Sequence, residues 1–146
     1  MQAGKYRFGS VFNPERAIDT SSERLHKPEG PLQLYQVNQS MYQRFLVSPH
    51  PKHPGAFTIR SVIDAKFWGV ADNADTPGAE IHFQERRDGP YQTWFFEPVD
   101  DDPTAYRIRN AGSNGYLALS EDTPGASLVQ IATPDNPKAV FRLLPV

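Results

Sequence analysis

The chain has 146 residues, 38% of them hydrophobic, and carries a formal net charge of −2 from 15 basic and 17 acidic side chains. That length suits one domain burying roughly two-thirds of its unfolded surface. The charge balance argues against nucleic acid or an anionic membrane as partner, since both require a basic face, and the absence of cysteine excludes disulfides and thiolate metal sites.

Read from its start, Met1 to Tyr6 holds no apolar stretch of the kind a signal peptide needs. No later segment approaches the roughly 20 apolar residues of a membrane span, so a cytoplasmic location is expected. Fourteen prolines and ten glycines are spread along the whole chain and leave no room for long helices. Between them lie short runs of alternating or continuous apolar character: Lys5–Phe8, Ala17–Asp19, Leu32–Val37, Arg44–Val47, Ala56–Val62, Phe67–Val70, Glu80–Gln84, Thr93–Glu97, Ala105–Arg109, Tyr116–Leu119, Ser127–Ile131 and Val140–Leu144. Runs of four to eight residues rich in Val, Ile, Tyr and Phe, set between turn residues, predict an all-β barrel or sandwich.

The runs repeat. Lys5-Tyr6-Arg7-Phe8, Ala56-Phe57-Thr58-Ile59 and Ala105-Tyr106-Arg107-Ile108 open three copies, their first aromatics 51 and 49 positions apart. Gln43-Arg44-Phe45, Gln92-Thr93-Trp94 and Ala139-Val140-Phe141 close them, 49 and 47 positions apart, and Thr-Pro-Gly-Ala occurs at both 76–79 and 123–126. A fixed period implies units that cannot bury their apolar faces alone and must close on one another. The expected domain is single, with copies at approximately 4–52, 53–102 and 103–146. Pro49-His50-Pro51-Lys52-His53-Pro54 reads as a stiff connector between the first two.

Three units of four short strands, each ending in Gln-x-aromatic or its remnant, resemble a β-trefoil of the ricin-B type. The cysteine-free form is similar to fungal (mushroom) lectins of that family. The resemblance implies carbohydrate binding, with galactose or N-acetylgalactosamine as the expected sugar, and no enzyme activity. In such lectins an Asp after the second strand, an aromatic on the third, an Asn about three residues later and polar groups at the Gln-x-Trp close form the site. The first copy supplies Asp19, Tyr35, Asn38 and Gln43, with Gln36 and Tyr42 placed to line the rim. The chemistry is apt: a carboxylate takes hydrogen bonds from vicinal hydroxyls, and an aromatic face covers the C–H side of a sugar ring. In the second copy Gly69 stands for the Asp, Phe83 is the aromatic and Arg86 falls where the Asn is wanted. In the third, Ala118, Ile131 and Ala139 replace Asp, aromatic and Gln. One working site is therefore expected.

Each of these residues has a purely structural reading as well. Asp19 before Thr20-Ser21-Ser22 suits a turn cap, Tyr35 a half-buried strand, and Asn38 a hairpin. The closing aromatics Phe45, Trp94 and Phe141 are expected in the core. The long loop from Ser22 to Pro31 either extends the sugar site or contacts a protein. β-Trefoils also inhibit serine proteases through one basic loop residue, and Arg24 or Lys138 would serve that alternative, with a trypsin-like protease as partner. On the lectin reading the partners are glycans, glycoproteins or glycolipids, with a homodimer as one route to avidity. Neither a metal nor an organic cofactor is expected. His50-x-x-His53 has no nearby carboxylate to complete a ligand set, and Asp100-Asp101-Asp102 lacks the Gly and Glu of a calcium loop.

Overall fold

The computed structural model describes residues 1–23 and 29–146. Thirteen strands are present among them: β1 (Gly4–Ser10), β2 (Arg16–Asp19), β3 (Gly30–Pro31), β4 (Gln33–Gln36), β5 (Phe45–Pro49), β6 (Phe57–Ser61), β7 (Phe67–Val70), β8 (Ile81–Gln84), β9 (Trp94–Val99), β10 (Asp102–Asn110), β11 (Tyr116–Leu119), β12 (Leu128–Ile131) and β13 (Val140–Pro145). A single 3-10 turn precedes the closing strand of each copy, at Met41–Gln43, Pro90–Gln92 and Pro137–Ala139. The second and third of these begin on proline, whose fixed φ suits a helical first position.

Six strands close into a barrel. β1 pairs with β13, β13 with β10, β10 with β9, β9 with β6, β6 with β5 and β5 with β1, all antiparallel. The hairpins β2–β4, β7–β8 and β11–β12 hang from β1, β6 and β10 and cap one end. Three copies of four strands in this arrangement make a single-domain β-trefoil. β3 is an addition in copy one and pairs with β8.

The hairpins are tied in a triangle by their backbones. Leu32 N–H donates to the Ile81 carbonyl at 2.9 Å, Leu128 N–H to Leu32 at 3.2 Å, and Gln130 N–H to Ala79 at 2.9 Å. The two Thr-Pro-Gly-Ala loops contribute in the same way. Gly78 and Gly125 adopt φ of 90° and 88°, a region that only glycine enters without strain. Their N–H groups reach Gln130 and Leu34 of the neighbouring hairpins at 2.8 and 2.6 Å.

The core fills the barrel and its cap. Phe8, Phe45, Trp68 and Phe83 are fully buried, with Trp68 4.8 Å from the Phe8 ring centroid and 5.0 Å from that of Phe45. The three closing aromatics Phe45, Trp94 and Phe141 all have zero exposure. Trp94 carries a polar atom into this interior and satisfies it, its Nε1–H donating to the Trp68 carbonyl at 3.0 Å.

Candidate functional site

The β2–β4 hairpin sets the geometry of the first copy. Its register puts Asp19 opposite Gln33 and Ala17 opposite Tyr35. Side chains alternate along a strand, so Gln33 and Tyr35 share one face of β4 while Leu34 points into the core. On the polar face lies an open recess of about 390 Å³ lined by Asp19, Ser21, Ser22, Glu23, Gln33, Tyr35, Asn38, Ser40 and Tyr42.

Asp19 lies at the bottom of this recess, 4% exposed. Its Oδ1 accepts from Gln33 Nε2 at 2.9 Å and its Oδ2 from Gln43 Nε2 at 3.0 Å. Burial pushes its pKa up, and the two amide donors oppose that rise. A carboxylate has about four lone-pair sites, so the described residues leave two acceptor positions for a ligand.

Gln43 is held more firmly. Its Nε2 also donates to the Gln36 carbonyl at 2.8 Å, and its Oε1 accepts from Asn38 N–H at 2.9 Å. Both N–H donors of that amide are used and its oxygen takes one bond, which fixes the orientation in which it meets Asp19. Asn38 Oδ1 accepts from Ser40 N–H at 2.9 Å and shapes the rim. Tyr35 is 45% exposed, and the Tyr42 carbonyl accepts from Thr20 N–H at 2.8 Å.

Four of the six residues expected from sequence therefore line one recess: Asp19, Tyr35, Asn38 and Tyr42. Gln43 lies beneath them and orients the carboxylate. Gln36 is displaced from the expected rim, because it alternates away from Tyr35 along β4; it contributes its carbonyl to Gln43 instead. Sequence reasoning missed Gln33 and Ser40. A signal for Gln33 existed, since it stands two residues before Tyr35 and so on the same strand face. Of the long loop, Arg24 to Pro28 lie outside the described residues, so the Arg24 alternative does too. Lys138, the other basic candidate, is half-buried in the third 3-10 turn with Nζ 5.4 Å from the centroid of the Phe12 ring, not held out on a loop tip.

The sister copies show what fills the place of the lost Asp. Gly69 pairs with His82 and Ala118 with Val129, as Asp19 does with Gln33. Two correspondences need correction. The counterpart of Tyr35 is Gln84, not Phe83, which is core; and Arg87 rather than Arg86 matches Asn38, because Arg87 N–H donates to Gln92 Oε1 at 2.8 Å. A single residue of slippage in a strand turns inside to outside, so these assignments require the register.

In copy two Gln84 folds into the space above Gly69 and accepts from Gln92 Nε2 at 3.0 Å, a neutral amide in place of the Asp19 carboxylate. A Cβ on Gly69 would come within 2.1 Å of Gln84 Oε1 and 2.9 Å of Gln92 Cγ. Gly69→Ala is accordingly expected to cost about 1–3 kcal/mol by overpacking. Adding Gln84→Ala should recover most of it. Urea denaturation of the single and double variants checks both, and an unperturbed single variant would contradict the packing.

Comparison with known proteins agrees with the topology. A profile of the family described as "Ricin-type beta-trefoil lectin domain-like" matches residues 41–131. The chain belongs to that family. The matched span runs from the end of copy one into copy three, so membership is carried by residues other than Asp19, Tyr35 and Asn38. No curated protein sequence matches the chain. Among solved structures it is similar to the designed three-fold symmetric protein ThreeFoil (16% identity, 98% of this chain and 99% of that one, TM-score 0.88). It is also similar to the Macrolepiota procera ricin B-like lectin in complex with lactose (19% identity, 100% and 99% covered, TM-score 0.82). The Polyporus squamosus lectin, solved with a sialylated trisaccharide epitope, gives 15% identity over 98% of this chain and 49% of that one, with TM-score 0.82.

Proposed function

We propose that this protein is a non-enzymatic lectin that binds a galactose or N-acetylgalactosamine unit in the recess of its first copy. The observation that carries this reading is the buried Asp19 carboxylate, held by Gln33 and Gln43 with acceptor positions left over, beneath the exposed ring of Tyr35. Asp19 accepts from two hydroxyls of the sugar. Asn38 bonds the same or the adjacent hydroxyl, Tyr35 covers the C–H face, and Tyr42 and Ser40 close the sides. Family membership supports carbohydrate as the ligand class, and the copy-to-copy contrast supports the choice of site: Gly69 and Ala118 offer no acceptor side chain.

A single open recess of this kind binds weakly, with Kd from millimolar to micromolar, or about −4 to −8 kcal/mol. Multivalent targets or a second copy of the chain would then supply avidity of ~10²–10⁴-fold. The test is a proton–nitrogen NMR titration with methyl galactoside and N-acetylgalactosamine, using methyl mannoside as the contrast. Saturable shifts confined to residues 19–23 and 33–42 are the expected result. Shifts elsewhere, or none with any sugar, would overturn the assignment.

A further inference from the structure

A cavity larger than the Asp19 recess, of about 660 Å³, opens between the connector after copy one and the loop after β8. Its volume falls within the usual range of small-molecule sites. The walls divide by chemistry. Pro51, Pro54, Pro90, Ala111 and the half-buried Phe95 form the apolar part, and His50, His53, Lys52 and Arg86 form the basic part, with Asp88 as the one acid.

Order is built into the basic wall. His50 N–H donates to the Ala56 carbonyl at 2.8 Å and Ala56 N–H to the His53 carbonyl at 3.1 Å, closing the connector into a compact loop stiffened by two prolines. His50 Nδ1 accepts from Lys52 N–H at 3.1 Å, so the neutral ring carries its proton on Nε2, the nitrogen left to donate to a ligand. The His53 ring lies 4.6 Å away, tilted by 45°. Asp88 pairs with Arg86 Nε at 3.1 Å and also acts on His50, so one acid faces Lys52, Arg86 and the two imidazoles. β9 and the turn after β10 contribute no charge to the lining, and the Arg109 guanidinium sits 4.6 Å from the centroid of the Phe95 ring. The net field is positive. Burial first, then His53, with Arg86 and Lys52 adding and Asp88 opposing, holds the His50 pKa below its usual value.

We infer that this cavity is a second ligand site, for a sugar that carries a carboxylate, such as a sialic or uronic acid. The carboxylate meets Lys52, the imidazoles and the Arg86 edge, and the ring's C–H face lies on Phe95 and Pro90. A sugar rather than another small carboxylate rests on the carbohydrate-binding reading above; the positive, half-apolar cavity does not. His50-x-x-His53 becomes the recognition element.

The test is an NMR titration of the whole chain with N-acetylneuraminic acid and methyl glucuronide at neutral pH, with methyl galactoside and sodium sulfate as contrasts. The acidic sugars should shift the His50, His53 and Phe95 signals with millimolar affinity. Methyl galactoside should leave those signals in place. Lys52→Gln, at an exposed position, and Arg86→Gln should each weaken binding at least fivefold, whereas Asp19→Asn should leave it unchanged. Acidic sugars that shift only the Asp19 recess, or affinity that does not depend on Lys52, would overturn the second site and leave the first standing. Sulfate binding as tightly as the sugars would reduce the cavity to a bare anion site and overturn the sugar assignment. A chain in which methyl galactoside shifts nothing, yet the acidic sugars still move His50 and His53, would separate failure of the first site from that of the second.

Discussion

Asp19→Asn is expected to weaken sugar binding at least a hundredfold while leaving the thermal midpoint within a few degrees of the parent. Hydrogen bonds to a charged group contribute about 1.5–3 kcal/mol each, and a hundredfold loss corresponds to about 2.7 kcal/mol, so losing two such bonds more than suffices. Asn is nearly the same shape, but the direction of its hydrogen bonds is forced. The Gln43 amide cannot turn over, since its Oε1 takes Asn38 N–H and its Nε2 gives to the Gln36 carbonyl. The new side chain must therefore aim its oxygen at Gln43 and its NH₂ toward Gln33 and the recess, where sugar hydroxyls had been donating.

The fold is spared for a related reason. Burial raises the Asp19 pKa, so the folded state favours its neutral form. For an acid raised in this way, the contribution to stability is fully present below the unfolded value of about 3.9 and is lost as pH rises through the folded value. An uncharged Asn lacks that loss. Relative to the parent, the variant should gain stability between pH 4 and pH 7, which thermal denaturation at the two pH values measures. By the same reasoning sugar binding to the parent should fade as pH falls through the raised pKa, because a protonated carboxyl accepts less well. Affinity unchanged in Asp19→Asn would sink the first-copy site.

The largest loss of stability is expected from Trp94→Ala, about 3–5 kcal/mol by the cavity left behind. For a chain of this size that corresponds to roughly 6–20 °C in Tm, at ~2–4 °C per kcal/mol. Trp94 has zero exposure, and its Nε1–H bond to the Trp68 carbonyl would be lost from the interior. Position also matters. The barrel closes between β6 and β9 through one residue pair, Phe57 with Trp94, and the same residue pairs with Asn110 of β10. A hole there opens at the seam of the barrel. Differential scanning calorimetry decides it; a drop of less than 3 °C would mean that the seam is held by something other than this side chain.

Much of the fold was legible in the chain. Tyr6, Phe57 and Tyr106 at near-constant spacing, the Thr-Pro-Gly-Ala loops, and prolines too frequent for helices led to three four-strand copies. The closing aromatics were readable as core because a repeated apolar residue beside a turn has to face its neighbours. The β3 strand at Gly30–Pro31 was not legible. Two residues carry no periodic signal, and its existence depends on β8 lying alongside.

The first-copy recess was half legible. Asp19, Tyr35, Asn38 and Tyr42 could be collected through the resemblance to ricin-B-type lectins, yet the roles of Gln33, Gln36 and Gln43 could not, since three glutamines in one stretch look alike until a register distinguishes them. Gln33 binds the carboxylate from across the hairpin, Gln43 from below, and Gln36 only through its carbonyl. The cavity between His50 and Phe95 had no signature beyond a histidine pair between prolines, because its two walls are some 40 residues apart in sequence.

By itself, then, the sequence determined the period, the strand character and the single copy that retains an acid, all properties written locally in residue type and spacing. Only the tertiary structure decided which glutamine holds Asp19, that Gln84 fills the place above Gly69, and that a basic cavity forms beside the connector. Those depend on strand register and on loops meeting across the barrel, and a shift of one residue in a strand exchanges its two faces.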